Sequence, residues 1–287
     1  MLIVDSQVHI WKPNSPDRPW TPGVKPQLPE PFTIELLVDE MNRAGVDRAL
    51  IVPPGWEFFR NDYATEAFDK HPDRFRFLAR IGLERPGARE FLPNWMQQRG
   101  NLGLRHVFMA QFDRDRVASG AYDWMWADCE RYNIPVSILP IGLRPKLEQI
   151  LERLPRLKLT IDHMGLSEPL FKEGRVVETL EDTLALARFP NASVKVSSVP
   201  TNSHEKYPYR DMHGHVHRMV DAFGPKRCFW GSDLTHMRHA GLNPCSLREC
   251  VTLFTEELGF SANDLEWIMG RALCEHFGWP ISVRLPA

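Results

Sequence analysis

The stretch LIVDSQVH, Leu2–His9, decides the fold: a nearly unbroken apolar run that closes on polar residues. A strand buried on both faces of a parallel sheet reads this way. Seven further runs share the form: RALIV (Arg48–Val52), FRFLARI (Phe75–Ile81), LGLRHVF (Leu102–Phe108), PVSIL (Pro135–Leu139), KLTID (Lys158–Asp162), SVKV (Ser193–Val196) and RCFWG (Arg227–Gly231). Between them lie amphipathic segments. Thr33–Ala44 carries Leu36, Leu37, Glu40 and Met41 at helical spacing, with Thr33 placed to cap it. Asp62–His71, Tyr122–Tyr132, Arg144–Arg153, Val177–Arg188, Arg210–Phe223 and Leu247–Leu258 read alike, and Ser261–Phe277 adds one or two closing helices. Eight strands alternating with helices predict an α/β protein: one (β/α)8 TIM-type barrel, a single domain over residues 1–287. A doubly wound sheet would ask for a Gly-rich first turn. Here the first strand runs into His9-Ile10-Trp11 and then Lys12–Pro31, which holds seven prolines and Trp20. That segment is expected to fold over the barrel mouth as a lid or wall.

Composition narrows the function classes. The chain has 35 Lys+Arg against 37 Asp+Glu and a net charge of −2, with no basic stripe of the kind nucleic acid requires. No apolar run approaches the roughly 20 residues that span a bilayer. The opening MLIVDSQVHIW lacks a basic start and meets Asp5 early, which argues against a secretory signal. The five cysteines have no C-x-x-C spacing, so reduced thiols and a cytoplasmic location are expected. The expected partner is a small molecule.

Barrel enzymes build their chemistry at the C-terminal ends of the strands. Strand 1 ends with Gln7 and His9 on one side, two residues apart. Strand 6 ends in Asp162-His163, and strand 8 in Gly231-Ser232-Asp233. A lone His at a strand end is usually a hydrogen-bonded structural residue. His9, His163 and Asp233 on three converging ends instead suggest a site, either for one divalent metal or with Asp233 as a base and His163 as a polariser. Arg80 and Arg105 interrupt apolar strands; each either pairs inside the barrel or meets an anionic substrate. Trp11, Trp20, Trp56 and Arg60 are candidate walls around a cyclic substrate, or plain packing. Either His236 or His239, after Asp233, is a candidate to face the pocket. His213, His215 and His217 read best as the polar face of a helix, although His213 and His217 have metal-ligand spacing.

IVDSQVHIW, TIDHMG and FWGSDLTH, in this order and on strands 1, 6 and 8, resemble the amidohydrolase superfamily, in its amidohydrolase-related (type 2) branch. That branch includes sugar lactonases, 2-pyrone-4,6-dicarboxylate lactonase and non-oxidative decarboxylases. The resemblance maps His9 onto the second His of the family's H-x-H motif, His163 onto the strand-6 His, and Asp233 onto the strand-8 Asp that activates water. Gln7 replaces the first His, and the strand-4 Lys and strand-5 His of binuclear members have no counterpart. A single Zn²⁺ or Mn²⁺ on His9, His163 and Asp233, or a metal-free site, are both open. A homodimer is compatible with the family. Phe108 stands where the dicarboxylate lactonase has a second strand-4 Arg, which disfavours a dicarboxylate. The resemblance implies hydrolysis of a small lactone, with Asp233 as base, His163 and His9 as electrophiles or ligands, and Gln7, Trp11, Trp56, Arg60, Arg80, Arg105 and His236 around the substrate. Metal-dependent decarboxylation of an aromatic acid and a non-catalytic barrel subunit are the alternatives.

Overall fold

The computed structural model describes residues 1–238 and 244–281. Its eight strands are β1 (Val4–Val8), β2 (Arg48–Ile51), β3 (Phe75–Ala79), β4 (Asn101–Phe108), β5 (Val136–Pro140), β6 (Leu159–Ile161), β7 (Ala192–Ser197) and β8 (Cys228–Gly231). They pair in sequence order, all parallel, with helices in the crossovers. This is the (β/α)8 barrel that the strand rhythm predicts.

The barrel closes between β1 and β8 just beyond the end of β8. Asp233 N–H donates to Gln7 O (3.0 Å) and His9 N–H to Leu234 O (2.6 Å). Below that seam the buried Asp5 carboxylate accepts from Ser232 N–H (2.9 Å), Gln7 N–H (3.0 Å) and Ser232 Oγ. Gly231 allows the close approach, because a Cβ there would lie 2.4 Å from Ser6 Oγ. The two strands that carry His9 and Asp233 are thus joined where the chemistry must sit.

The opposite end is plugged. Phe277 and Trp279 pack with Val4, Leu50, Leu78, Leu102 and Phe229, and the Arg48 guanidinium lies over Trp279 and donates to Pro280 O (2.7 Å). With that end sealed by the helix Ala272–Phe277 and the residues after it, the barrel opens only toward the strand C-termini among the described residues.

Thr33 caps the helix Ile34–Ala44 as expected, its Oγ1 accepting from Leu36 N–H (3.3 Å). Among the short elements that escape the sequence reading are Arg89–Gln97, Gln111–Ala118 and Glu168–Lys172. Gln111–Ala118 buries only Val117, so it has no apolar stripe to betray it. Ser261–Phe277 divides into Ala262–Glu266 and Ala272–Phe277 around a wider π-type turn. Among the described residues no helix is long and apolar enough to cross a membrane.

Candidate active site

The open end holds a cavity of about 470 Å³, into which His9, His163, Asp233 and His236 all face. Trp56, Pro54, Leu166 and Pro169 give it an apolar wall, and Arg80 and Arg105 a cationic one. Val24, Lys25 and Gln27 of the Pro-rich segment also line it. That segment is anchored by Arg18, whose guanidinium binds Glu57 (2.6 Å) and both oxygens of Asp62 (2.6 and 3.0 Å). Thr21 N–H donates to Trp56 O (2.6 Å), and Thr235 Oγ1 to Gln27 Oε1 (2.8 Å).

Asp233 is the centre of the site. It follows β8 in a left-handed turn, φ +61°, that aims its carboxylate back over the barrel. Oδ2 accepts from Ser198 Oγ and from His236 Nδ1 (3.1 Å). His9 Nε2 stands 3.3 Å from Oδ1, and His163 Nε2 3.9 Å from Oδ2. His163 and Ser198 are themselves left-handed, at φ +54° and +58°. Non-glycine residues rarely adopt this conformation, and when they do they cluster at functional sites.

The histidines are oriented from behind. His9 Nδ1–H donates to Val52 O (2.7 Å), which leaves Nε2 facing Asp233. His163 Nδ1 bonds Ser197 Oγ (2.8 Å). Beneath them Lys195, fully buried, donates from Nζ to Gln7 Oε1 (2.7 Å) and pairs with Asp162 Oδ1 (2.9 Å). Because an ammonium only donates, it fixes the Gln7 amide and turns Nε2 toward His9 Nε2, 3.5 Å away. Asp162 also accepts from Arg105 Nε (3.1 Å) and Ser137 Oγ (2.5 Å).

Burial opposes every charge here, and the partners decide which survive. Burial would raise Asp233, but the His163 and His236 imidazoles hold it well below the usual carboxylate range. Burial pushes His163 down to about 4, so it is neutral at pH 7. His236 goes the other way: burial disfavours its cation, yet the bond to Asp233 and the charge of Glu168 raise its pKa. Burial lowers Lys195 despite Asp162, while Lys195 and Arg105 outweigh burial at Asp162 and keep it ionised.

Of the residues singled out in the sequence, the fold gathers His9, His163, Asp233, His236, Trp56, Arg80 and Arg105 around the cavity. Four others sit elsewhere. Gln7 is fully buried and reaches His9 and Lys195 rather than the cavity. Trp11 is sealed behind Trp56, edge to face at 5.0 Å, because that pair forms core. Arg60 lies outside the cavity and donates to Asp17 O (3.2 Å). Trp20 is likewise no wall; its Nε1 donates to Lys12 O (3.2 Å). His239 lies outside the described residues. On the helix Arg210–Phe223, His213 donates to Pro208 O (2.7 Å) and His217 packs on Phe260 (4.7 Å), two unrelated tasks. Sequence reasoning missed Lys195, Ser197, Ser198 and Glu168. Lys195 was detectable as a charge inside a strand, but SVKV passed as an apolar run.

A divalent metal would need donors around one point. Gln7 Oε1 is taken by the Lys195 ammonium, whose charge repels a cation. His9 and His163 stand at ion-pair distance from Asp233 itself, and among the described residues no group of three or more His, Cys, Asp or Glu forms a metal cage. As arranged, these donors do not fit a resident metal.

A family model described as Amidohydrolase matches residues 4–283. An L-fucono-1,5-lactonase from Burkholderia ambifaria is 27% identical over 247 residues, which is 83% of this chain and 82% of the relative. Among solved structures, an amidohydrolase from Burkholderia multivorans with bound zinc superposes with a TM-score of 0.80 at 19% identity, covering 98% of this chain and 100% of that one. A 5-carboxyvanillate decarboxylase from Sphingomonas paucimobilis gives 0.65 at 13%, covering 96% and 98%. The two structural likenesses speak for the barrel.

Proposed function

The chain belongs to the amidohydrolase family, and we propose that it hydrolyses a small lactone, with Asp233 as the base that takes a proton from the attacking water. The observation that carries this reading is Asp233 itself: buried, ionised, ringed by His9, His163 and His236, and facing a ligand-sized cavity with an apolar wall for a ring. The similarity to a lactonase supports the substrate class.

The steps follow from the protonation states. Asp233 orients a water and accepts its proton as the oxygen bonds to the lactone carbonyl carbon. Asp233 lines the cavity, where its carboxylate meets that water. The positive charge of Arg105 at the cavity wall favours the oxyanion that develops. His236, whose proton is held by Asp233 and Glu168, donates it to the ring oxygen as the acyl C–O bond breaks. The product is the ring-opened hydroxy acid, and the proton on Asp233 returns to His236. Neutral His163, tied to Ser197, serves as a hydrogen-bonding group at the carbonyl. The Lys195 ammonium on Gln7 Oε1, which sets a positive charge beside the donors, supports catalysis without a resident metal.

Titration of acid release from five- and six-membered lactones tests this. Asp233→Asn is expected to lose about 10²–10⁴-fold in turnover, and chelation to leave the wild-type rate unchanged. Wild-type turnover in Asp233→Asn would overturn the role of Asp233. Loss of activity on chelation, restored by zinc, would replace the metal-free route. Release of CO₂ from hydroxybenzoic acids without lactone opening would move the site to decarboxylation.

A further inference from the structure

We propose that the substrate ring carries a carboxylate and that Arg80 receives it; this rests on the lactone reading of the same cavity. Arg80 directly follows β3 and is 8% exposed, yet lines the cavity. Its backbone is clamped on both sides by Asn61, whose Oδ1 accepts from Arg80 N–H (2.8 Å) and whose Nδ2 donates to Arg80 O (2.9 Å). The guanidinium rests on Phe59 at 5.3 Å. Its position is therefore built.

What it lacks is a counter-charge. Among the described residues no carboxylate pairs with Arg80; Nη1 reaches only Phe58 O (3.1 Å) and Pro53 O (3.4 Å), and Nε has no hydrogen-bond partner. Burial, with the charge of Arg105, pulls the guanidinium down to about 9, a measure of what the isolated cation costs. A buried cation is ordinarily paired. Every other buried cation at the barrel mouth is: Arg105 and Lys195 share Asp162. Lys25 is exposed, where water screens it. A buried guanidinium with no carboxylate of its own calls for an anionic group, and a guanidinium favours a carboxylate. A neutral lactone would leave Arg80 unpaired in the filled site.

Binding of a ring that cannot be opened tests this apart from catalysis. Tetrahydropyran-2-carboxylate and its primary amide are titrated calorimetrically into the wild type, Arg80→Met and Arg80→Lys. The wild type is expected to bind the acid roughly 10–100-fold more tightly than the amide, as suits a charge-assisted hydrogen bond. Arg80→Met should erase that ratio, and Arg80→Lys retain part of it. Equal binding of acid and amide, no binding of the acid at millimolar concentration, or an unchanged ratio in Arg80→Met would each overturn the assignment. If Arg80→Met fails to fold, the wild-type ratio and Arg80→Lys decide. An acid preference in a protein that opens no lactone would sink the hydrolase reading alone; lactone opening without acid preference would sink this inference alone.

Discussion

Two side chains in one hydrogen bond, Asp233 and His236, are driven to opposite charges by each other. The carboxylate stays ionised because imidazoles surround it, and the imidazole holds its proton because carboxylates do. Such a pair serves a reaction that needs a base and an acid at neutral pH. The pH dependence follows. As pH rises through about 4, His163 loses its proton and the rate is expected to climb. As pH rises further through the elevated pKa of His236, the general acid disappears and kcat falls. His236→Gln should lower kcat about 10²-fold and flatten the alkaline limb. An unchanged alkaline limb in that variant would remove His236 from the acid role. Left-handed backbone at His163, Ser198 and Asp233 costs of order 1 kcal/mol each, and the surrounding barrel must hold it.

Among the elements, β7 shows how a strand supplies a floor for the site. Ser193, Lys195 and Ser197 alternate with Val194 and Val196. The polar set turns inward, to Thr160, to Asp162 and Gln7, and to His163, while the valines join the core. Read with a period of two, SVKVS announces this division; read as an apolar run, it hides Lys195. The β1–β8 seam carries a second titrating group. Burial raises Asp5 to about 7, above its unfolded value. Between pH 4 and 7 the unfolded chain therefore loses the Asp5 proton while the folded chain keeps it, and stability falls as pH rises. Relative to the wild type, Asp5→Asn should gain at most about 1.4 kcal/mol per pH unit across that window. Urea unfolding at pH 5 and pH 7 measures it, and a pH-independent difference would refute the shift.

Across the molecule, one segment gathers the prolines. Seven of the 24 prolines lie in Lys12–Pro31, which lends Val24, Lys25 and Gln27 to the cavity. The loop is held by Arg18, which bridges buried Glu57 and Asp62. Arg18→Ala would leave the Glu57 carboxylate buried without its partner, at a cost of about 3 kcal/mol. Faster proteolysis within residues 12–31 and a raised KM are expected, with Glu57→Gln partly restoring both. Wild-type protease resistance would show that the loop holds its place otherwise.

The barrel was readable in the chain because burial on both faces forces each parallel strand into an apolar run, and helical spacing fills the gaps between runs. His9, His163 and Asp233 were readable as candidates because barrel enzymes place polar groups at strand ends, although only residue type and order suggested their roles. Their mutual distances, the protonation they impose on one another and the Lys195–Gln7 bond join residues up to 224 positions apart, His9 and Asp233, and no local pattern encodes them. Which aromatics line a cavity and which fill core depends on the surfaces packed against them. Trp11 and Trp56 look alike in sequence, and only packing seals one behind the other. Arg80 and Arg105 likewise interrupt similar strands, and only the fold gives Asp162 to one of them.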